Sequence, residues 1–164
     1  MDAWFTKESA RYLREVYLPR LRKAVETLPE RDLWWRPHAG VTSVGNLLLH
    51  LDGNLRQWIL GGLGGAEDRR RRSEEFTRRE GGTKAELLGA LAGTIEEAAK
   101  VVERQTGLDR ALRIQGFETT PREAIYHVVE HLSWHVGQIV WIAKMRAGEA
   151  HGIAFYDDAK LASP

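Results

Sequence analysis

His127, His131 and His135 recur every four residues, and Gln138 follows three further on. At about 100° per residue these side chains fall within an arc of roughly 80° on a helix. The intervening Val128, Val129, Leu132, Val136, Ile139 and Val140 are apolar, so the stripe is polar in apolar surroundings and needs partners. Imidazoles spaced by four stand on successive turns and point the same way, which is how one helix gives two nitrogen ligands to a metal ion. A second polar line, His50, Asn54 and Gln57, runs among leucines beside Trp58 at i, i+4 and i+7. If the two lines face each other, His50 supplies a third nitrogen. Three neutral imidazoles leave coordination positions open for water or substrate, the catalytic type of site. The competing reading is a set of hydrogen-bonded core or interface histidines with no metal among them.

Four apolar-periodic segments must position these residues. The first runs from Asp2 to Leu28, with Phe5, Leu13, Val16, Tyr17 and Val25 on one face and a kink expected at Pro19. Pro29, Trp34-Trp35-Arg36-Pro37 and Gly40 interrupt the pattern. Thr42 or Ser43 can cap a second helix that reaches about Leu60, where Gly61-Gly62 and Gly64-Gly65 end it. From Glu67 to Glu80 arginines and acids nearly cancel, which reads as a solvated face or loop rather than a phosphate site. Thr83-Lys84-Ala85-Glu86 is a capping box for a third helix ending near Gln105. Thr120-Pro121-Arg122-Glu123 is another, opening the histidine helix, which runs to about Arg146 and closes at Gly148. Leu112 to Phe117 is at most a short extended piece, and the tail with Phe155 and Tyr156 reads as a strap. Four long amphipathic helices can bury their stripes only against one another, so the expected fold is an all-α four-helix bundle, residues 1–164 forming one domain.

Composition narrows the chemistry. Lys plus Arg number 24 against 23 Asp plus Glu, so no global positive field favours nucleic acid or an anionic membrane. The longest uncharged stretch, Pro37 to Leu51, carries a proline, two glycines and two histidines, unlike a membrane span. Met1-Asp2-Ala3-Trp4 lacks the start of a secretory leader, and we expect a soluble, cytoplasmic protein. The chain has no cysteine, which excludes disulfides, thiolate ligands and a thiol nucleophile of its own. With no Ser-His-Asp arrangement and no glycine-rich phosphate loop, a histidine-bound ion is the one strong electrophile on offer. All-nitrogen ligation suits Zn, Ni, Co or Fe(II) alike.

Two runs carry a family likeness: Ser43-Val44-Gly45-Asn46-Leu47-Leu48-Leu49-His50-Leu51, and His131-Leu132-Ser133-Trp134-His135-Val136-Gly137-Gln138-Ile139. Together they resemble the DinB/YfiT-like metalloenzyme superfamily, and Trp34-Trp35-Arg36-Pro37, Gly53 to Ile59 and Tyr126 to His131 extend the likeness over nearly the whole chain. The resemblance implies an up-down-down-up order of helices, a divalent metal held by one histidine of the second helix and two of the fourth, and a homodimer. Matched position by position, the ligands are His50, His131 and His135. The superfamily is similar in fold to transferases and isomerases that use low-molecular-weight thiols such as bacillithiol or mycothiol. Leu132 and Trp134 stand where many relatives carry a glutamate and another histidine, so a catalytic role at those positions does not carry over.

The enzyme reading is therefore a metal-dependent transferase or hydrolase that activates a small-molecule thiol or water and takes a small-molecule substrate. Its competitor is a non-catalytic stress-response or binding protein whose metal, or bare polar stripe, only holds helices together. His127 reads as a pocket residue, because a fourth imidazole would close the site. Glu130 reads as an inter-helix salt-bridge partner. Asn54, Gln57 and Gln138 either orient imidazoles or bound water, or are satisfied core amides. Arg36 with Trp34 and Trp35 reads as a gate or as packing, and Arg36 and Arg70 to Arg72 as holders of a thiol's carboxylates. His38 and His151 receive no role.

Overall fold

The computed structural model describes residues 2–156. Its first helical segment comprises α1 (Asp2–Arg11), a π turn at Tyr12–Tyr17 and α2 (Leu18–Thr27). Proline has no N–H and crowds the carbonyl four residues back. The strain expected at Pro19 is met by the wider π turn just before it. Leu13, Leu21, Val25 and Leu28 from this segment are fully buried.

The connection to the second helix is held by packing. A short 3₁₀ turn, Glu30–Asp32, buries Asp32, which accepts a hydrogen bond from Arg146 Nη2 at 2.8 Å. The Arg146 guanidinium lies over the Trp35 ring. Trp34 presses on Gly45 so closely that a Cβ there would stand 2.9 Å from its ring. The two tryptophans therefore anchor this connection at the start of the second helix and the end of the last, and neither lines the histidine cavity described below. Packing, not gating, is their role.

Ser43, rather than Thr42, caps α3 (Val44–Leu55): its hydroxyl accepts from Asn46 N while Asn46 Oδ1 accepts from Ser43 N. The helix continues through a second π turn, Arg56–Gly61. The segment expected to be solvated contains α4 (Arg72–Thr77), packed on α3, with Glu75 buried. Two residues of that segment turn inward because each carries the other's countercharge. Capped at Thr83 as expected, α5 (Lys84–Glu103) packs on α3 and α1.

Leu112 to Phe117 is more than an extended piece. Strands β1 (Leu112–Ile114) and β2 (Phe117–Thr119) pair antiparallel, with Leu112 opposite Thr119. Their two-residue turn, Gln115-Gly116, has positive φ at both residues (54° and 84°), the primed hairpin geometry that asparagine usually supplies in the first position. Gln115 in that place hides the signal. Ile114 is buried against Gly62, tying the hairpin to the end of the second helix.

The last helix, α6 (Pro121–Ala147), packs against α2 and α3 and ends at Gly148 with φ 80°. Thr120 caps it, but Glu123 bonds the hydroxyls of Thr119 and Thr120 rather than the Thr120 N–H, so the second capping box is half formed. Beyond it Arg20 of α2 holds the Tyr156 hydroxyl at 3.0 Å and covers the Phe155 ring, which makes residues 151–156 a strap; the rest of the tail lies outside the described residues. The described chain is mainly helical around a core shared by all its long helices, and no helix in it is long and apolar enough to cross a membrane.

Candidate metal centre

The 3.6-residue period of α6 aligns His131 and His135, and the first turns of α3, fixed by the Ser43 cap, set His50 opposite them. His50 Nε2 lies 3.0 Å from His131 Nε2, which lies 3.1 Å from His135 Nε2. One nitrogen from each ring falls within 4.8 Å of the other two, and no other trio of His, Asp or Glu does so among the described residues. His50 is 5% exposed and the other two are partly buried.

Protonation follows from the partners on the far side of each ring. His50 Nδ1 is 2.9 Å from Glu75 Oε2 and 3.1 Å from Arg70 Nη2; the guanidinium only donates and is already matched by Glu75, so the shorter contact is made with the proton on Nδ1, donated to the carboxylate. His135 Nδ1 donates to Gln138 Oε1 at 2.6 Å. The Nε2 atoms of His50 and His135 are then bare lone pairs, both directed at His131 Nε2. A proton on that atom serves one contact and leaves the other unbonded. A cation among the three nitrogens satisfies all of them, and the group can hold a metal ion. His131 Nδ1 is buried without a partner.

Glu75 is where sequence reasoning fell short. It is 8% exposed, and its two oxygens accept from Arg70 Nε at 2.7 Å and Arg70 Nη2 at 2.8 Å as well as from His50. Arg70 also donates to Gln57 Oε1 at 2.9 Å, and Gln57 Nε2 donates to Asp68 at 2.7 Å. Gln57 thus reaches the histidines only through Arg70 and Glu75. Arg70, expected to hold a ligand's carboxylate, is spent on Glu75. Arg36 likewise donates to Asn46 Oδ1 at 2.6 Å and to the Arg78 carbonyl, away from the histidines. A histidine that binds a metal usually has a carboxylate, a carbonyl or water behind its other nitrogen; no spacing in the sequence says that Glu75 stands behind His50.

The remaining polar residues separate clearly. His127 stands outside the trio, its ring 4.3 Å from that of Trp58 and its Nε2 3.4 Å from Asn54 Nδ2. Glu130 is exposed and forms no ion pair among the described residues, so the expected inter-helix salt bridge is not made. The half-buried Phe76 of α4 packs its ring 4.7 Å from that of His50.

Burial holds His131 and His135 neutral. It is the largest influence on His131, followed by the neighbouring His135, His50, His127 and Arg70, and together they push its pKa down to about 3. Burial also lowers His135 against the opposing pull of Gln138, and lowers His127 against that of Glu130. Burial pushes the Glu75 carboxyl up, but hydrogen bonds from Arg70 and His50 outweigh it and hold the group below its ordinary value. The result is an ionised carboxylate behind His50 and neutral imidazoles on α6, which suits metal ligation.

A cavity of about 340 Å³ opens on His50, His131, His127, Asn54 and Trp58, with Gln115 and Phe117 of the hairpin at its rim. A larger one, about 760 Å³, lies between α3 and residues 66–78 but reaches no histidine. Its charges are largely matched within it, as Arg56–Asp52, Arg69–Glu67 and Arg71–Glu74. The smaller cavity is the one with chemistry at its wall.

The sequence pattern of the DinB superfamily matches residues 13–139, from the first helical segment through the histidine stripe. The chain belongs to the DinB superfamily. Among curated proteins, no sequence matches it. Membership agrees with the helical fold, and the three-histidine group is compatible with a metal-binding protein of this superfamily.

Proposed function

We propose that this DinB-superfamily chain is a cytoplasmic metal-dependent enzyme of one domain, with the helix order up-down-down-up, and that His50, His131 and His135 hold one divalent ion. The observation that carries the reading is the trio of Nε2 atoms, spaced 3.0 and 3.1 Å. The third pair, His50 and His135, also lies within 4.8 Å, so the three rings converge on one point that an ion would occupy. The ion supplies a Lewis acid that lowers the pKa of a water or low-molecular-weight thiol in contact with it. Glu75 fixes the tautomer and orientation of His50, and Gln138 does the same for His135. No other side chain in the cavity is placed as a general base except His127, which burial keeps neutral.

The reaction class that fits is thiol S-transfer or hydrolysis on a small molecule. The structural alternative, in which an ion merely ties α3 to α6, is disfavoured by the cavity that reaches His50 and His131. Titrating cobalt-substituted protein with low-molecular-weight thiols, followed by absorption and then by assay with electrophilic acceptors, tests the choice. A thiol-dependent spectral change and turnover that His50→Ala abolishes are expected. An unperturbed spectrum with no turnover assigns the metal a structural role.

We further propose a homodimer. Trp134, Trp141 and Met145 share one exposed face of α6, and about 65% of each tryptophan is open to solvent, an apolar patch of the kind that marks an interface.

A further inference from the structure

The cavity over the histidines has a distinctive electrostatic make-up. No carboxylate lines it. Of its two arginines, Arg70 is matched by Glu75 in a bidentate pair, whereas Arg72 pairs with no carboxylate among the described residues. Arg72 is nevertheless held in place: its guanidinium stands 5.0 Å over the Phe76 ring, and Phe76 in turn packs against His50. The opposite rim is aromatic. Phe117, on the hairpin, lines the cavity while 62% exposed, a cost in water that a flat apolar partner would remove. Trp58 lies deeper, and Asn54, itself 4% exposed, lines the same cavity with its Oδ1 lacking any donor.

From this arrangement we infer that the cavity binds a small aromatic carboxylate, its anionic end on Arg72, its ring between Phe117 and Trp58, and its remaining edge toward His50 and His131. A guanidinium forms two parallel hydrogen bonds to a carboxylate, which fixes orientation as well as charge. The inference rests on the metal reading for what happens to the ligand, but its recognition elements, Arg72 and Phe117, lie outside the histidine trio.

The test uses trans-cinnamate, the uncharged cinnamamide and acetate as probes, titrated by calorimetry and ligand-observed NMR into metal-free and zinc-loaded protein. Cinnamate is expected to bind both forms at least about tenfold more tightly than cinnamamide or acetate. Arg72→Gln, at an exposed position, should erase the preference for cinnamate while leaving cinnamamide unchanged, and Phe117→Ser should weaken both aromatic probes. Cinnamate binding no better than cinnamamide, a preference that survives Arg72→Gln, or no binding at up to about 10 mM overturns the inference. Arginine-dependent binding by protein that takes up no zinc sinks the metal reading and leaves the pocket standing. Binding that needs zinc and ignores Arg72 puts the carboxylate on the ion and sinks the pocket alone.

Discussion

Glu75 carries more of the centre than its surroundings in the sequence suggest. Its carboxylate answers both the His50 proton and the buried Arg70 guanidinium, so Glu75→Ala leaves a buried cation and a ring free to turn. We expect a stability loss of about 3 kcal/mol by chemical denaturation and metal affinity roughly 10–100-fold weaker by competition with a chelator. An unchanged affinity would show that His50 needs no such support. Protonation gives a second expectation. Unfolded histidines titrate near 6.5, whereas burial and like charges hold His131 at about 3 and lower His135 and His127. In that window the unfolded chain binds more protons than the folded one, so stability is full above about 6.5 and falls with pH toward 3. Glu75, also lowered, acts in the same direction at the acid end. The melting temperature of metal-free protein should therefore drop steadily from pH 7 to pH 5, and a flat profile would contradict the buried, neutral histidines of α6. The histidines were legible because a four-residue repeat on an apolar helix admits few explanations. Glu75 and Arg70 were not, because a run of mixed charges reads the same whether it faces water or pairs off inside.

Elements set the distances that the residues use. The Asn46 side chain both completes the cap of α3 and donates to the carbonyls of Glu75 and Arg78, at 2.7 and 2.9 Å, so it ties the α4 segment to the helix that bears His50. Asn46→Ala removes half a capping box and the side-chain donor of the Glu75 carbonyl, while the Arg78 carbonyl keeps Arg36 and Arg79. The expected cost is about 2–3 kcal/mol, with faster hydrogen exchange over residues 70–79 than elsewhere. Uniform exchange across the chain would mean that α4 is held some other way. Gly53 is the complementary case. In a plain helix Gly→Ala stabilises by about 1 kcal/mol, but a Cβ here would overlap Glu75 Oε1 and stand 2.9 Å from Arg70 Nε. Gly53→Ala should thus weaken metal binding, and a variant that is more stable with full affinity would contradict the close approach. The long helices and the Thr83 cap could be read directly from period and cap chemistry, and the cap of α3 to within one residue, Thr42 or Ser43. The π turns were not, since nothing in local propensity separates them from α-helix, and the hairpin was masked by glutamine where asparagine is usual.

At the scale of the whole molecule, the exposed tryptophans of α6 and the histidine centre are neighbours: the Trp134 ring stacks on His135 at 5.9 Å. A second copy docked on this face would cover the His135 edge of the centre, so Trp141→Glu should shift light scattering at micromolar concentration from dimer to monomer mass. A monomer already in the unaltered protein would refute the pairing. Fold class was the most legible property of all, because long apolar-striped helices must bury one another; the order in which they meet is not written in any one stripe. On the proposed reading, the convergence of His50, His131 and His135 holds one ion. Elemental analysis of protein purified without a histidine tag or added metal measures that most directly. One divalent ion per chain is expected, lost in His50→Ala, His131→Ala and His135→Ala and largely kept in His127→Ala; full occupancy retained in His131→Ala would contradict the three-histidine centre.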